Sequence, residues 1–203
     1  MNSTSLYESQ ISKRIIQIFE LSGALWVHIC LLEVTLREAI NSTLKNAYSR
    51  MDWWNSPLFS SPNDRRYFIQ ITKRLNGHAQ TFGPNIHLQH FSLSFWVRLL
   101  GNKYVYRVWR HLENLSPTLK AYGRRNFQQK AIVIRDLRNA IAHHAPILHR
   151  NLARDLAYMH ELTELLSPNL AQALKERSKA EELVSRLKIN TPGAKLWTTH
   201  PGA

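Results

Sequence analysis

An all-α fold is what this sequence predicts, and three observations carry the prediction. The 203 residues include only 7 glycines and 8 prolines against 44% hydrophobic residues. That is too few breakers for a many-turned β protein, and enough apolar mass for one buried core. Apolar side chains recur at three- and four-residue spacing through several long segments, the period of a helix face. Helix-start signals and prolines separate those segments by short connections, so an up-and-down helical bundle with additional helices is expected. No segment alternates as a strand does, and the chain shows no repeat and no low-complexity run. A single domain over residues 1–189 follows, with 190–203 a tail without periodicity.

Taken in order, Leu6 to Glu20 reads as a first, shorter helix. From Leu25 the positions Leu25, Ile29, Leu32, Leu36 and Ile40 draw one stripe down a long helix reaching towards Tyr48, with His28 a packed residue on it. Trp53 and Trp54 form a packed corner. Ser61, Pro62, Asn63 and Asp64 make a Ser-x-x-Asp start with proline at the first helical position, launching a helix to about Leu75, after which Gly77 to His90 is a loop. Phe95 to Leu100 and Lys103 to Asn114 are expected as two helices hinged at Gly101. Phe127 to Ala145 is a further helix stopped by Pro146, and Leu152 to Leu166 another, stopped by Ser167 and Pro168. Asn169 to Leu187 is helical with a break near Ser178, where Glu181 completes a capping box.

Composition excludes some classes of protein. A single cysteine, Cys30, makes no intramolecular disulfide, and Met1 to Gln10 lacks the pattern of a secretory signal. The apolar stretch from Gly23 to Leu32 is interrupted by His28 and followed by Glu33 and Arg37, so no membrane span is expected, and a cytoplasmic location is. The net charge is +13 and unevenly spread. Between residues 98 and 154 lie Arg98, Lys103, Arg107, Arg110, Lys120, Arg124, Arg125, Lys130, Arg135, Arg138, Arg150 and Arg154, against Glu113 and Asp136 alone. So one-sided a block repels itself until an anion neutralises it, and a polyphosphate is the partner it suits, though charge alone does not separate RNA from DNA.

Chemistry concentrates between Arg135 and Arg150, in RDLRNAIAHHAPILHR. On a helix, Asn139 and His143 stand one turn apart, while Arg138 is offset from His143 by roughly 140° and reaches round with a long side chain. An imidazole at a helix end beside a guanidinium is suited to move a proton and to stabilise charge on a phosphorane. His143, His144 and His149 also invite a metal reading. Neither a cysteine nor an inward carboxylate accompanies them, which disfavours zinc or nickel and leaves the expected cofactor list empty. Glu33 and Arg37 are spaced as an i,i+4 ion pair, with Glu33 also a candidate second partner for Arg138. No Gly-rich phosphate loop, Gly-x-Ser-x-Gly elbow or HExxH occurs.

Arg138, Asn139 and His143 match the R-N-x-x-x-H signature of HEPN domains, and the chain resembles the Abi-like (abortive infection) branch of that family over most of its length. The residues that carry the resemblance are Leu32 to Arg37, Ser94 to Val97 ahead of Tyr106 to Trp109, Leu137 to Asn139 with Ala142 to Pro146, and Leu165 to Pro168. The chain departs from the pattern at Leu93-Ser94-Phe95-Trp96 and at Ala145. The resemblance implies a HEPN-like bundle and a metal-independent endoribonuclease, a toxin of a bacterial abortive-infection or toxin-antitoxin system. In it Arg138 holds the scissile phosphate, His143 moves the proton, and Asn139 orients either group, with His144 and Glu33 as accessories. Arg124, Arg125, Lys130, Arg135 and Arg150 would track the RNA. A homodimer would supply a second imidazole, and a protein or RNA antitoxin is a further expected partner. The alternative is a HEPN-like module that binds RNA without cutting it.

Overall fold

The computed structural model describes residues 3–51, 53, 61–63, 66, 88 and 91–189. The helix expected from Ser61 to Leu75, the loop from Gly77 to His90, Trp54 and the tail from Asn190 fall wholly or mostly outside the described residues. The described chain opens on one helix, α1 (Ser3–Tyr48), where the sequence suggested two. No proline interrupts it, and Gly23 costs a helix interior only about 1 kcal/mol relative to alanine. Leu21, Leu25, Ile29, Leu32, Leu36, Ile40 and Leu44 form an unbroken stripe, each no more than 1% exposed. Between residues 12 and 20 the side chains are mostly exposed, Ile16 and Phe19 by more than half. An 18-residue window of α1 has a mean hydropathy of 1.8, long and apolar enough by composition to cross a membrane, which corrects the expectation that no such run exists. The buried stripe covers part of that window, 28% of which is buried inside the bundle.

Seven further α-helices follow among the described residues, and no strand. Helix α2 (Leu93–Leu99) buries Leu93, Phe95, Trp96, Val97 and Leu99 in an aromatic cluster. Phe91 stacks on Phe95 at 4.4 Å, Trp96 meets both, and Trp53 lies 6.4 Å from Trp96. The Trp53 indole N–H donates to Asn41 Oδ1 at 3.0 Å, satisfying a polar atom in a fully buried corner.

Beyond Gly101 the expected helix from Lys103 to Asn114 is broken into pieces. A 3₁₀ turn (Asn102–Tyr104) leads into a π turn (Val105–Trp109), then α3 (Arg110–Leu112) and a second 3₁₀ turn (Glu113–Leu115). The wider π turn lets Val108, Trp109 and Leu112 all face the core. Helix α4 (Pro117–Tyr122), absent from the sequence reading, starts as a proline-led helix should: Ser116 Oγ accepts the Leu119 N–H at 3.0 Å.

Gly123, at φ +80, turns the chain into α5 (Arg124–Ala142), which begins three residues earlier and ends three earlier than expected. Helix α6 (Leu152–Leu166) has the expected bounds and an Asn151 cap on the Arg154 N–H. Helices α7 (Pro168–Arg177) and α8 (Ala180–Ile189) meet at Ser178, the predicted break. Glu181 does not complete a capping box there. Ser178 Oγ accepts the Ala180 N–H, while the Glu181 carboxylate sits 3.6 Å from His160. Helix α6 holds the bundle together by packing on α1, α5, α7 and α8.

Candidate active site

The candidate residues gather where α5 ends against α1. Pro146 disfavours helical backbone in the residue before it, so α5 must close early. It closes in a Schellman turn: Ala145 N–H bonds Ala140 O at 2.8 Å and His144 N–H bonds Ile141 O at 3.0 Å. His143 is therefore the C-cap, not part of the last turn, and His144 takes the left-handed position at φ +54 that glycine usually fills. This corrects the expectation that both histidines belong to the helix. His143 is exposed, its N–H donating to Asn139 O at 3.1 Å, and Asn139 is half-buried one turn earlier.

Arg138 faces α1. Its guanidinium lies 5.6 Å from the centroid of the Trp26 ring, and its Nε is 4.0 Å from Glu33 Oε2. That separation makes a charge pair without a direct hydrogen bond. Arg138 Nε is buried with no hydrogen-bond partner. Burial pushes the Glu33 carboxyl above the ordinary range, opposed by Arg138, by a hydrogen bond from the Leu93 backbone and by Arg37. Arg37 itself donates to Glu38 at 3.3 Å, so the spacing expected to pair Glu33 with Arg37 instead frees Glu33 for Arg138.

On the α1 side of this site sequence reasoning named Glu33 but missed Phe19 and Trp26. Phe19, Trp26 and Glu33 are seven residues apart in turn, and a seven-residue step drifts only ~20° around a helix. All three therefore share one face. Phe19 meets the His144 ring edge-on at 6.3 Å, Trp26 carries Arg138, and Glu33 completes the charge pair. Between α1 and the turn after α5 lies a groove of about 420 Å³, walled by Ile15, Phe19, Trp26, His144, Pro146 and Ile147. Trp26 is the wall that joins the groove to Arg138. The 7-residue spacing was the available signal, but nothing in it says which face meets α5.

The basic candidates divide by what they bond. Arg124 donates to Leu100 O at 3.0 Å, to Gln128 Oε1 at 2.7 Å and to Asn102. Lys130 pairs with Glu161 at 2.6 Å and stands over the Tyr122 and Tyr158 rings. Arg150 bonds Asp155 at 2.8 Å and Val133 O at 2.9 Å, and Arg135 pairs with Asp136 at 2.8 Å. Arg125 is exposed near the start of α5. Among the described residues no group of three or more His, Cys, Asp or Glu side chains is arranged to hold a metal ion. Compared with known proteins, the chain matches no family model, no curated protein and no solved structure.

Proposed function

We propose that the chain is a HEPN-type, Abi-like endoribonuclease, a toxin of a bacterial abortive-infection or toxin-antitoxin system acting on RNA in the cytoplasm. The observation that carries the reading is Arg138: a guanidinium steered by Glu33 and Trp26 with its Nε unbonded, in an R-N-x-x-x-H segment whose histidine stands exposed at the helix end. In the reaction, His143 takes the proton of the RNA 2′-hydroxyl, and the 2′-oxygen attacks the adjacent phosphorus. The bond to the 5′-oxygen breaks, a second imidazole returns a proton to that leaving oxygen, and the products carry a 2′,3′-cyclic phosphate and a 5′-hydroxyl. Arg138 stabilises the charge on the phosphorane and Asn139 orients the phosphate or the imidazole. A homodimer supplies the second imidazole from the partner's copy of His143, and an antitoxin of protein or RNA restrains the enzyme.

Incubating the purified chain with end-labelled RNA in EDTA tests this. Cleavage to cyclic phosphate ends is expected, and mixing His143→Ala with Arg138→Ala protomers should not restore it, because the mixed dimer holds one His143 imidazole where the reaction needs two. The rival reading, an RNA-binding module without catalysis, is favoured by the offset of Arg138 towards α1 and His143 towards solvent. Gel retardation of intact RNA without cleavage would establish it.

A further inference from the structure

Away from the candidate active site, two histidines are buried together where the sequence suggested only packing. His28 on α1 is 1% exposed and His160 on α6 is 9% exposed. Their rings are 4.8 Å apart at 42°. His28 Nε2 lies 2.6 Å from Ser178 Oγ, at the corner between α7 and α8. His160 Nδ1 lies 3.6 Å from Glu181 Oε1 on α8. The α7–α8 corner thus meets two histidines of the bundle core, Ser178 through a hydrogen bond to His28 and Glu181 as a charge beside His160.

Hydrogen-bond accounting shows what these contacts require. Ser178 Oγ already accepts the Ala180 N–H at 3.0 Å, and its hydroxyl hydrogen is the one it has to give. Where Ser178 gives that hydrogen to His28 Nε2, the His28 ring proton sits on Nδ1; in the other tautomer Nε2–H donates to the second lone pair of Ser178 Oγ, and the Glu181 carboxylate faces His160 Nδ1. The other nitrogen positions, His28 Nδ1 and His160 Nε2, are buried without partners. With the His160 ring proton on Nδ1, a second proton arrives at Nε2 with no acceptor, and one on His28 arrives either at Nε2 against the Ser178 hydrogen or at Nδ1, which is buried without a partner. Either one puts a charge against a neighbouring imidazole in the core.

We propose that the His28–His160 pair is a proton-sensitive latch: while both rings are neutral it holds the α7–α8 corner on α1 and α6, and when either is protonated the corner is released. The charged groups facing the pair are Glu181 from α8, Lys175 from α7 and Glu164 from α6 itself. Burial and the neighbouring His160 depress the His28 pKa to about 4, and burial depresses His160 against the pull of Glu181. Both directions give the same sign. The released state binds more protons than the latched one, so latching is complete near neutral pH and is lost as pH falls from about 6.5 towards 4.

Hydrogen exchange on the full chain, read at residues 178–189 and at α5 with correction for intrinsic rates, tests the latch. Protection of 178–189 is expected to fall by at least tenfold between pH 7 and pH 4.5 while α5 keeps its own. In the double variant His28→Gln, His160→Asn, both side chains stay polar but do not titrate, and the pH dependence should vanish. Protection that is flat with pH, or lost from both regions together, overturns the proposal, as does an unchanged pH dependence in a folded double variant. If the variant does not fold, the imidazole resonances of the unaltered protein decide. Two rings titrating near 6.5 with 178–189 still protected would end the idea.

Discussion

At the scale of single residues, the end of α5 combines two demands that conflict locally. The chain needs a sharp stop before Pro146, and the turn that makes it puts His144 at φ +54, where a side chain with a Cβ costs about 1–2 kcal/mol relative to the ordinary helical region. His144→Gly should therefore stabilise the fold by about 1 kcal/mol in urea denaturation, less whatever the edge contact with Phe19 contributes. A loss of stability would mean that the Phe19 contact outweighs the strain. In the proposed function Arg138 and His143 answer to chemistry, and removing the proposed proton carrier, as in His143→Ala, should lower the cleavage rate by roughly 10² to 10⁴. Arg138→Lys should not restore what Arg138→Ala loses, because an ammonium cannot reproduce the planar fork held over Trp26 and beside Glu33. Circular dichroism must show both variants helical; cleavage at the parental rate in either would remove that residue from the site.

At the scale of elements, what the sequence made legible was whatever local chemistry decides. The bounds of α6 follow from Asn151 at its start and Ser167-Pro168 at its end, and the α7–α8 break follows from Ser178. The apolar stripe from Leu25 to Ile40 is core as the spacing implied. Features decided by tertiary packing were not legible. Helix α1 runs through Gly23 because its buried stripe outweighs one weak residue. The π turn at Val105–Trp109 answers to the aromatic core rather than to any motif. For the site, the motif residues were visible, but Trp26 was not, because its role exists only once α1 meets α5. A Cβ at Gly23 meets nothing within 4 Å, so Gly23→Ala should stabilise α1 by about 1 kcal/mol without altering cleavage, measured as a shift in the urea midpoint. Trp26→Ala removes the surface under Arg138 and one wall of the groove. It should lower the cleavage rate more than Gly23→Ala does while leaving the helical content intact, and equal rates for the two would deny Trp26 a positioning role.

At the scale of the whole molecule, the +13 charge is less available to a nucleic acid than its count suggests. Asp155, fully buried, is bracketed by Arg150 at 2.8 Å and Arg154 at 2.9 Å, and Arg150 also bonds Val133 O on α5. Arg150 thereby ties α6 to α5, while Arg154 pairs within α6. Arg150→Ala leaves a buried carboxylate with one partner fewer, so it should destabilise the fold by roughly 1–3 kcal/mol, whatever it does to RNA binding. Arg124 is similarly occupied by Leu100 O, Gln128 and Asn102, so its reversal mixes a folding effect with any binding effect. Arg125, exposed on the first turn of α5, gives the cleaner test. If it contacts a phosphate of single-stranded RNA, Arg125→Glu should reduce the slope of log K against log salt by roughly 0.7, because one fewer counterion is released on binding, with the urea midpoint unchanged. Arg150→Ala should show the opposite pattern, a lowered midpoint with a parental salt slope. If both variants keep the parental slope, the RNA does not run along the start of α5, and the phosphates that set the slope are met by other cations.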